Sequence, residues 1–147
     1  MLALLRPNSW DLPLFLHVLG ATILVGGSAA VTLLAIAGRH ENLQAPLLRR
    51  VALRTLLLVV VPSWILMRVA AQWILDKEYP HGHEPGWVGA GIVVSEGGLV
   101  LLIPLCIVAF LSTRQRGGQR TRLALAILSP LYLCALLVAM WAMSGKP

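Results

Sequence analysis

The chain has 147 residues, 58% of them hydrophobic, with twelve Lys and Arg against six Asp and Glu and a net charge of +6. A mean hydropathy of +0.80 excludes a water-soluble globular domain. The pI of about 10.4 does not call for nucleic acid either, because eight of the twelve basic residues sit in two short connections between apolar runs, where membrane topology and anionic lipid account for them.

Four apolar runs follow one another, at about 13–38, 51–75, 87–111 and 123–143, and each supplies the ~20 apolar residues that a helix needs to cross a bilayer core. The expected fold is all-α: a four-transmembrane-helix bundle with short loops, a single integral membrane domain over 1–147. Gly27, Ser28, Ala29 and Ala30 imitate a signal-peptidase site. Asp11, Pro7 and Pro13 do not suit a leader, however, and the apolar run continues to Ala37, so the first helix is expected to be retained. The first connection carries Arg39, Arg49, Arg50 and Arg54 and is broken by Pro46. Pro62 falls inside the second helix and is expected to kink it. The second connection carries Asp76, Lys77, Glu78 and Glu84 with His81 and His83, in a turn-rich cap containing Pro80, Gly82, Pro85 and Gly86. Pro104 interrupts the third helix. The third connection holds Arg114, Arg116, Arg120 and Arg122 around Gly117 and Gly118, and Pro130 and Tyr132 lie in the fourth helix, where Tyr132 is expected to make one hydrogen bond within the bundle.

Arginine and lysine are retained on the cytoplasmic side, so Arg49, Arg50, Arg54, Arg114, Arg116, Arg120 and Arg122 orient the chain N-out and C-out. Trp10, Trp73, Trp87 and Trp141 then sit near the outer ends as an aromatic belt. The expected location is a cell membrane, multi-pass, of the bacterial inner or plasma-membrane type. Cys106 and Cys134 fall in apolar runs without metal-site spacing and read as packing residues.

Polar side chains inside spans carry the functional information, since a charge at depth costs at least ~2.5–3.5 kcal/mol on insertion scales. Counting ~1.5 Å per residue puts His17 roughly 6 Å, Arg68 roughly 10 Å and Glu96 roughly 13 Å below the outer boundary. Arg68, Gln72 and Asp76 recur every four residues above Trp64, forming a polar ridge. His17, Gly20 and Gly27 share a small-residue face suited to close helix packing, and Gly89 lies two turns before Glu96. These features predict an outer-side pocket walled by the first three helices and lined by His17, Arg68, Gln72 and Glu96. Set against it is the plainer reading in which Arg68 and Glu96 form an ion pair that fixes helix register, or Arg68 snorkels to the outer headgroups, and His17 hydrogen bonds a backbone carbonyl. His81, His83 and Glu84 have the ligand chemistry of a zinc or copper site.

Leu16, His17, Gly20, Ala21, Gly26 and Gly27 resemble the opening helix of CopD-like and related small membrane proteins. The resemblance implies His17 as a position for haem b or metal ligation. The stretches Met67–Trp73 and Trp141–Pro147 resemble those of an uncharacterised, actinobacterial-type four-helix family, a likeness that covers nearly the whole chain and implies the same architecture without an activity.

Three functional readings follow. In the first, the pocket binds or conducts a proton, a metal ion or a small polar solute, with Glu96 as acceptor. In the second, His17 ligates haem b or copper, which needs a second axial ligand from the outer loop, from Met67 or from a second copy. In the third, the protein is an accessory or structural subunit of a larger membrane complex. The expected partners are the lipid bilayer and either a homodimer mate or such a complex, with no nucleic acid. No catalytic triad, phosphate loop or zinc-protease motif occurs, and an enzyme is not expected.

Overall fold

The computed structural model describes residues 11–40, 43–78, 86–114 and 118–144, without the side chains of 78, 86–95 and 142–144. The first span is α1 (Asp11–Ala37). The second runs as α2 (Ala45–Thr55), a π-helical turn (Leu56–Val60) and α3 (Val61–Glu78). α4 (Gly86–Thr113) and α5 (Gln119–Ser144) complete an all-helical architecture among the described residues. All four spans contain helix long and apolar enough to cross a membrane, as the composition requires of a multi-pass membrane protein.

The helices reach further into the arginine-rich connections than expected. Pro46 does not break the first connection but starts a helix, because a proline in the first turn gives up only an N–H that has no intrahelical partner. Arg49, Arg50 and Arg54 therefore ride on α2, and Arg120 and Arg122 lie on the first turns of α5. The second span covers 33 residues from Ala45 to Lys77. At ~1.5 Å per residue this is roughly 50 Å, well beyond a hydrocarbon core of ~30 Å, so its basic first turns extend out of the apolar zone. α2 buries Ala45 and Ala52 and turns Arg50 and Arg54 outward.

Pro62 acts through the turn that precedes it. Proline has no N–H, and its ring collides with the carbonyl four residues back. The helix meets both demands by widening: the Val61 N–H donates to the Leu56 carbonyl, five residues back. Pro104 and Pro130 are carried inside α4 and α5 without ending them.

α1 is the central helix, packing on the second span along its length and on α5, while α4 packs on α5 and α2. The core contains Leu24, Val31, Leu56, Val60, Leu105, Leu125 and Tyr132. Only 22–33% of each span window is buried in the bundle, and the outward surface is built from residues such as Leu33, Leu58, Val100 and Val138. A surface so apolar is an interaction surface, and here its solvent is lipid. Trp73 and Trp141 are exposed near the helix ends opposite the arginines, where indole favours the headgroup zone. Trp10 and the Trp87 side chain lie outside the described residues.

Candidate functional site

Two backbones touch at the centre of the site. A Cβ added to Gly20 would lie 2.9 Å from the Met67 nitrogen and 3.1 Å from its Cα, and one on Gly27 would meet Val59 and Val60 side chains at 3.1 Å. Glycine at these positions is what allows α1 to lie directly on the second span. One turn before Gly20, the His17 ring completes the clamp: Nδ1 is 3.1 Å from the Met67 carbonyl oxygen. A carbonyl only accepts, so Nδ1 is the donor in this hydrogen bond.

Arg68, one residue further on, belongs to a different network. Its Nη2 lies 3.4 Å from Glu96 Oε1, and its Nη1 donates to Gln72 Oε1 at 3.2 Å. Gln72 Nε2 in turn donates to Asp76 Oδ1 at 3.0 Å. The expected four-residue ridge is thus a continuous hydrogen-bonded chain that climbs α3 and is anchored on α4. Beneath it, α4 approaches Trp64 closely, since a Cβ on Gly98 would lie 3.8 Å from the indole nitrogen. That Nε1 is buried and has no hydrogen-bond partner among the described residues.

This arrangement differs from a pocket lined by all four side chains. Arg68, Gln72 and Glu96 are joined, but no hydrogen bond links His17 to them among the described residues. The chain also lies on the outside of the bundle: the Glu96 side chain is 57% exposed and that of Arg68 23%. The physical reason is azimuth. Residues 67 and 68 project about 100° apart on a helix, so the helix that offers the Met67 carbonyl to α1 turns Arg68 toward α4.

The residues that would hold a metal or haem fit the group only in part. The His17 tautomer, with its second nitrogen donating to a backbone carbonyl, is the kind that orients an imidazole ligand. Yet the described residues contain no group of three or more His, Cys, Asp and Glu side chains able to share an ion. His81, His83 and Glu84 lie outside the described residues. His40, at the far end of α1, accepts from Arg39 Nε at 2.9 Å. The Tyr132 hydroxyl, expected to bond within the bundle, is buried without a partner among the described residues, as is Ser129 Oγ.

Two clefts open at the opposite, arginine-rich end. One, of about 220 Å³, is bounded by α2, the end of α4 and the start of α5 and is lined by Pro46, Arg49, Arg50, Ser112, Thr113, Arg114 and Arg122. The other, of about 280 Å³, is lined by Arg39, His40, Gln119 and Arg122. Counting arginines as topology signals does not reveal that they converge; the only hint in the chain is that both arginine-rich connections are short. No family model, curated protein or solved structure matches this chain.

Proposed function

We propose that this protein is a membrane-embedded assembly subunit, oriented with both termini outside, that docks another membrane-spanning chain along the seam between α3 and α4. The observation that carries this reading is the exposed ion pair, Glu96 with Arg68, on the exterior of a bundle whose described outward surface is mainly apolar. Hydrocarbon does not solvate a half-exposed carboxylate, so a seam at this depth needs a protein surface or a water-filled crevice over it. The pair alone is too weak to compensate, since exposed ion pairs contribute only about 0.2–1 kcal/mol. The seam also carries both signs, Arg68 beside Glu96 and Asp76. A surface of that kind is complementary to its own copy under a two-fold rotation, which sets Arg68 of one protomer against a carboxylate of the other. A second copy is therefore the partner proposed.

The test uses a background in which Cys106 and Cys134 are replaced by alanine. Val100, 69% exposed and one turn from Glu96, is changed to cysteine, and Leu33, 70% exposed on α1, serves as the control. Oxidation in native membranes should join Val100→Cys chains into a dimer and leave Leu33→Cys chains single, and Glu96→Gln should weaken the Val100 product. An adduct with a different chain would keep the docking reading and remove the homodimer. Monomer alone at Val100 would sink both.

A second reading has one observation of its own. The hydrogen-bonded chain from Glu96 through Arg68 and Gln72 to Asp76 ends two residues from the end of α3, which would give a proton or cation a path from the surface to the Glu96 carboxylate. It predicts saturable cation binding by the purified protein that Glu96→Gln abolishes.

A further inference from the structure

We infer that Pro62 is the positioning residue of the seam between α3 and α4: by holding open the π-helical turn before it, Pro62 selects Arg68 as the side chain that meets Glu96. This deepens the docking reading and rests on it for the use of the seam. In an unbroken α-helix the N–H of residue 62 would bond the Leu58 carbonyl. Proline has no N–H to give, and its ring collides with that carbonyl. The turn over Leu56–Val60 avoids the collision by taking in one residue more than an α-helical turn holds, with the Val61 N–H donating to the Leu56 carbonyl. Each residue beyond the turn therefore stands where its predecessor would stand in an unbroken helix, a rotation of about 100°.

The contact with α1 does not choose that register, because it uses atoms that nearly every residue has. A Cβ on Gly20 would meet the Met67 nitrogen at 2.9 Å and its Cα and Cβ at 3.1 Å. His17 Nδ1 bonds the Met67 carbonyl. Leu66 carries the same four atoms. On the other side of the turn, α2 is fixed independently: Ala45 and Ala52 are buried, and a Cβ on Gly38 would lie 3.4 Å from Leu48 Cβ. Between a fixed α2 and a clamp blind to residue identity, the number of residues in the turn decides which side chain faces which helix.

Closing the turn into regular α-helix would advance every α3 side chain by one place. Leu66 would replace Met67 against Gly20, and Met67 would replace Arg68 beside Glu96. Arg68 would take the direction of Val69, which is 60% exposed. The seam would lose its cation, and Glu96 its partner at 3.4 Å.

Cross-linking within one chain reads this register directly. In native membranes and the background without Cys106 and Cys134, a short bifunctional thiol reagent should join Glu96→Cys to Arg68→Cys and not to Met67→Cys. Pro62→Ala should shift the link by one residue, gaining the Met67→Cys product and losing the Arg68→Cys product. Deleting Leu58 from Pro62→Ala removes the extra residue and should return the link to Arg68→Cys. A Gly38→Cys/Leu48→Cys disulfide, with its Cβ atoms suitably spaced, should form in all three backgrounds and shows that α2 has kept its place. Equal links to both α3 positions in the parent would overturn the proposal, as would an unshifted link in Pro62→Ala. If Pro62→Ala does not fold, the variant that also lacks Leu58 decides: it should fold and link through Arg68→Cys, and its failure to do so would overturn the proposal. Docking is read separately by the Val100→Cys dimer. A shifted register with an undiminished dimer keeps the role of Pro62 and removes Arg68 from the interface.

Discussion

His17, Gly20 and Tyr132 show how unevenly single residues contribute. Gly20 holds two helices at backbone contact, with the Met67 nitrogen 2.9 Å from where a Cβ would stand. Gly20→Ala must push α1 off α3, and overpacking of this kind costs about 1–3 kcal/mol. Its midpoint in denaturation by a strong detergent should fall accordingly. Tyr132 behaves in the opposite sense. Its hydroxyl is buried with no partner among the described residues, so Tyr132→Phe removes an unsatisfied polar atom and keeps the ring in the core. Thermal melting of the detergent-solubilised protein should show Tyr132→Phe at least as stable as the parent, because an unmet buried hydroxyl costs about 1–3 kcal/mol. A clear loss of stability would mean that the hydroxyl has a partner in the membrane.

The tie between α3 and α4 is made of few parts. α4 takes its main support from α5 and α2, and toward the end away from the arginine-rich connections the Arg68–Glu96 pair and the Gly98 approach to Trp64 connect it to α3. Side-chain hydrogen bonds between membrane helices average only about 0.6 kcal/mol and reach about 1.7. A double-mutant cycle with Arg68→Ala and Glu96→Ala should return a coupling energy inside that range in the monomer. If the same cycle is run on dimer dissociation, the seam reading predicts a second coupling there. An architectural ion pair with no docking role predicts none.

The four spans as a set have one polar chain near one end and two basic clefts at the other. In the proposed orientation, with both termini outside, the positive-inside rule would put the basic end in the cytoplasm. In the cysteine-free background, a maleimide reagent that cannot cross membranes should label Gly82→Cys in intact cells and Gly117→Cys only after permeabilisation. The reverse pattern would place the seam in the other leaflet.

Much of this architecture was legible along the chain. Whether a segment enters a bilayer depends on its length and summed transfer free energy, both local properties of the amino acids, so the four spans follow from composition alone. The face carrying Gly20 and Gly27, and the ridge from Arg68 to Asp76, also follow from spacing, because they lie within single regular helices. The direction in which those faces point does not. Azimuth is set where helices meet: Gly20 against Met67 aims α3, and the π-helical turn before Pro62 adds a residue that rotates α3 about 100° relative to an unbroken helix. That rotation cannot be read from a periodicity that assumes 3.6 residues per turn. In the folded bundle it is Met67, and not Arg68, that faces His17 and Gly20. The convergence of Arg39, Arg49, Arg50, Arg114 and Arg122 is equally a matter of packing, since residues up to 83 positions apart become neighbours only when four helix ends meet.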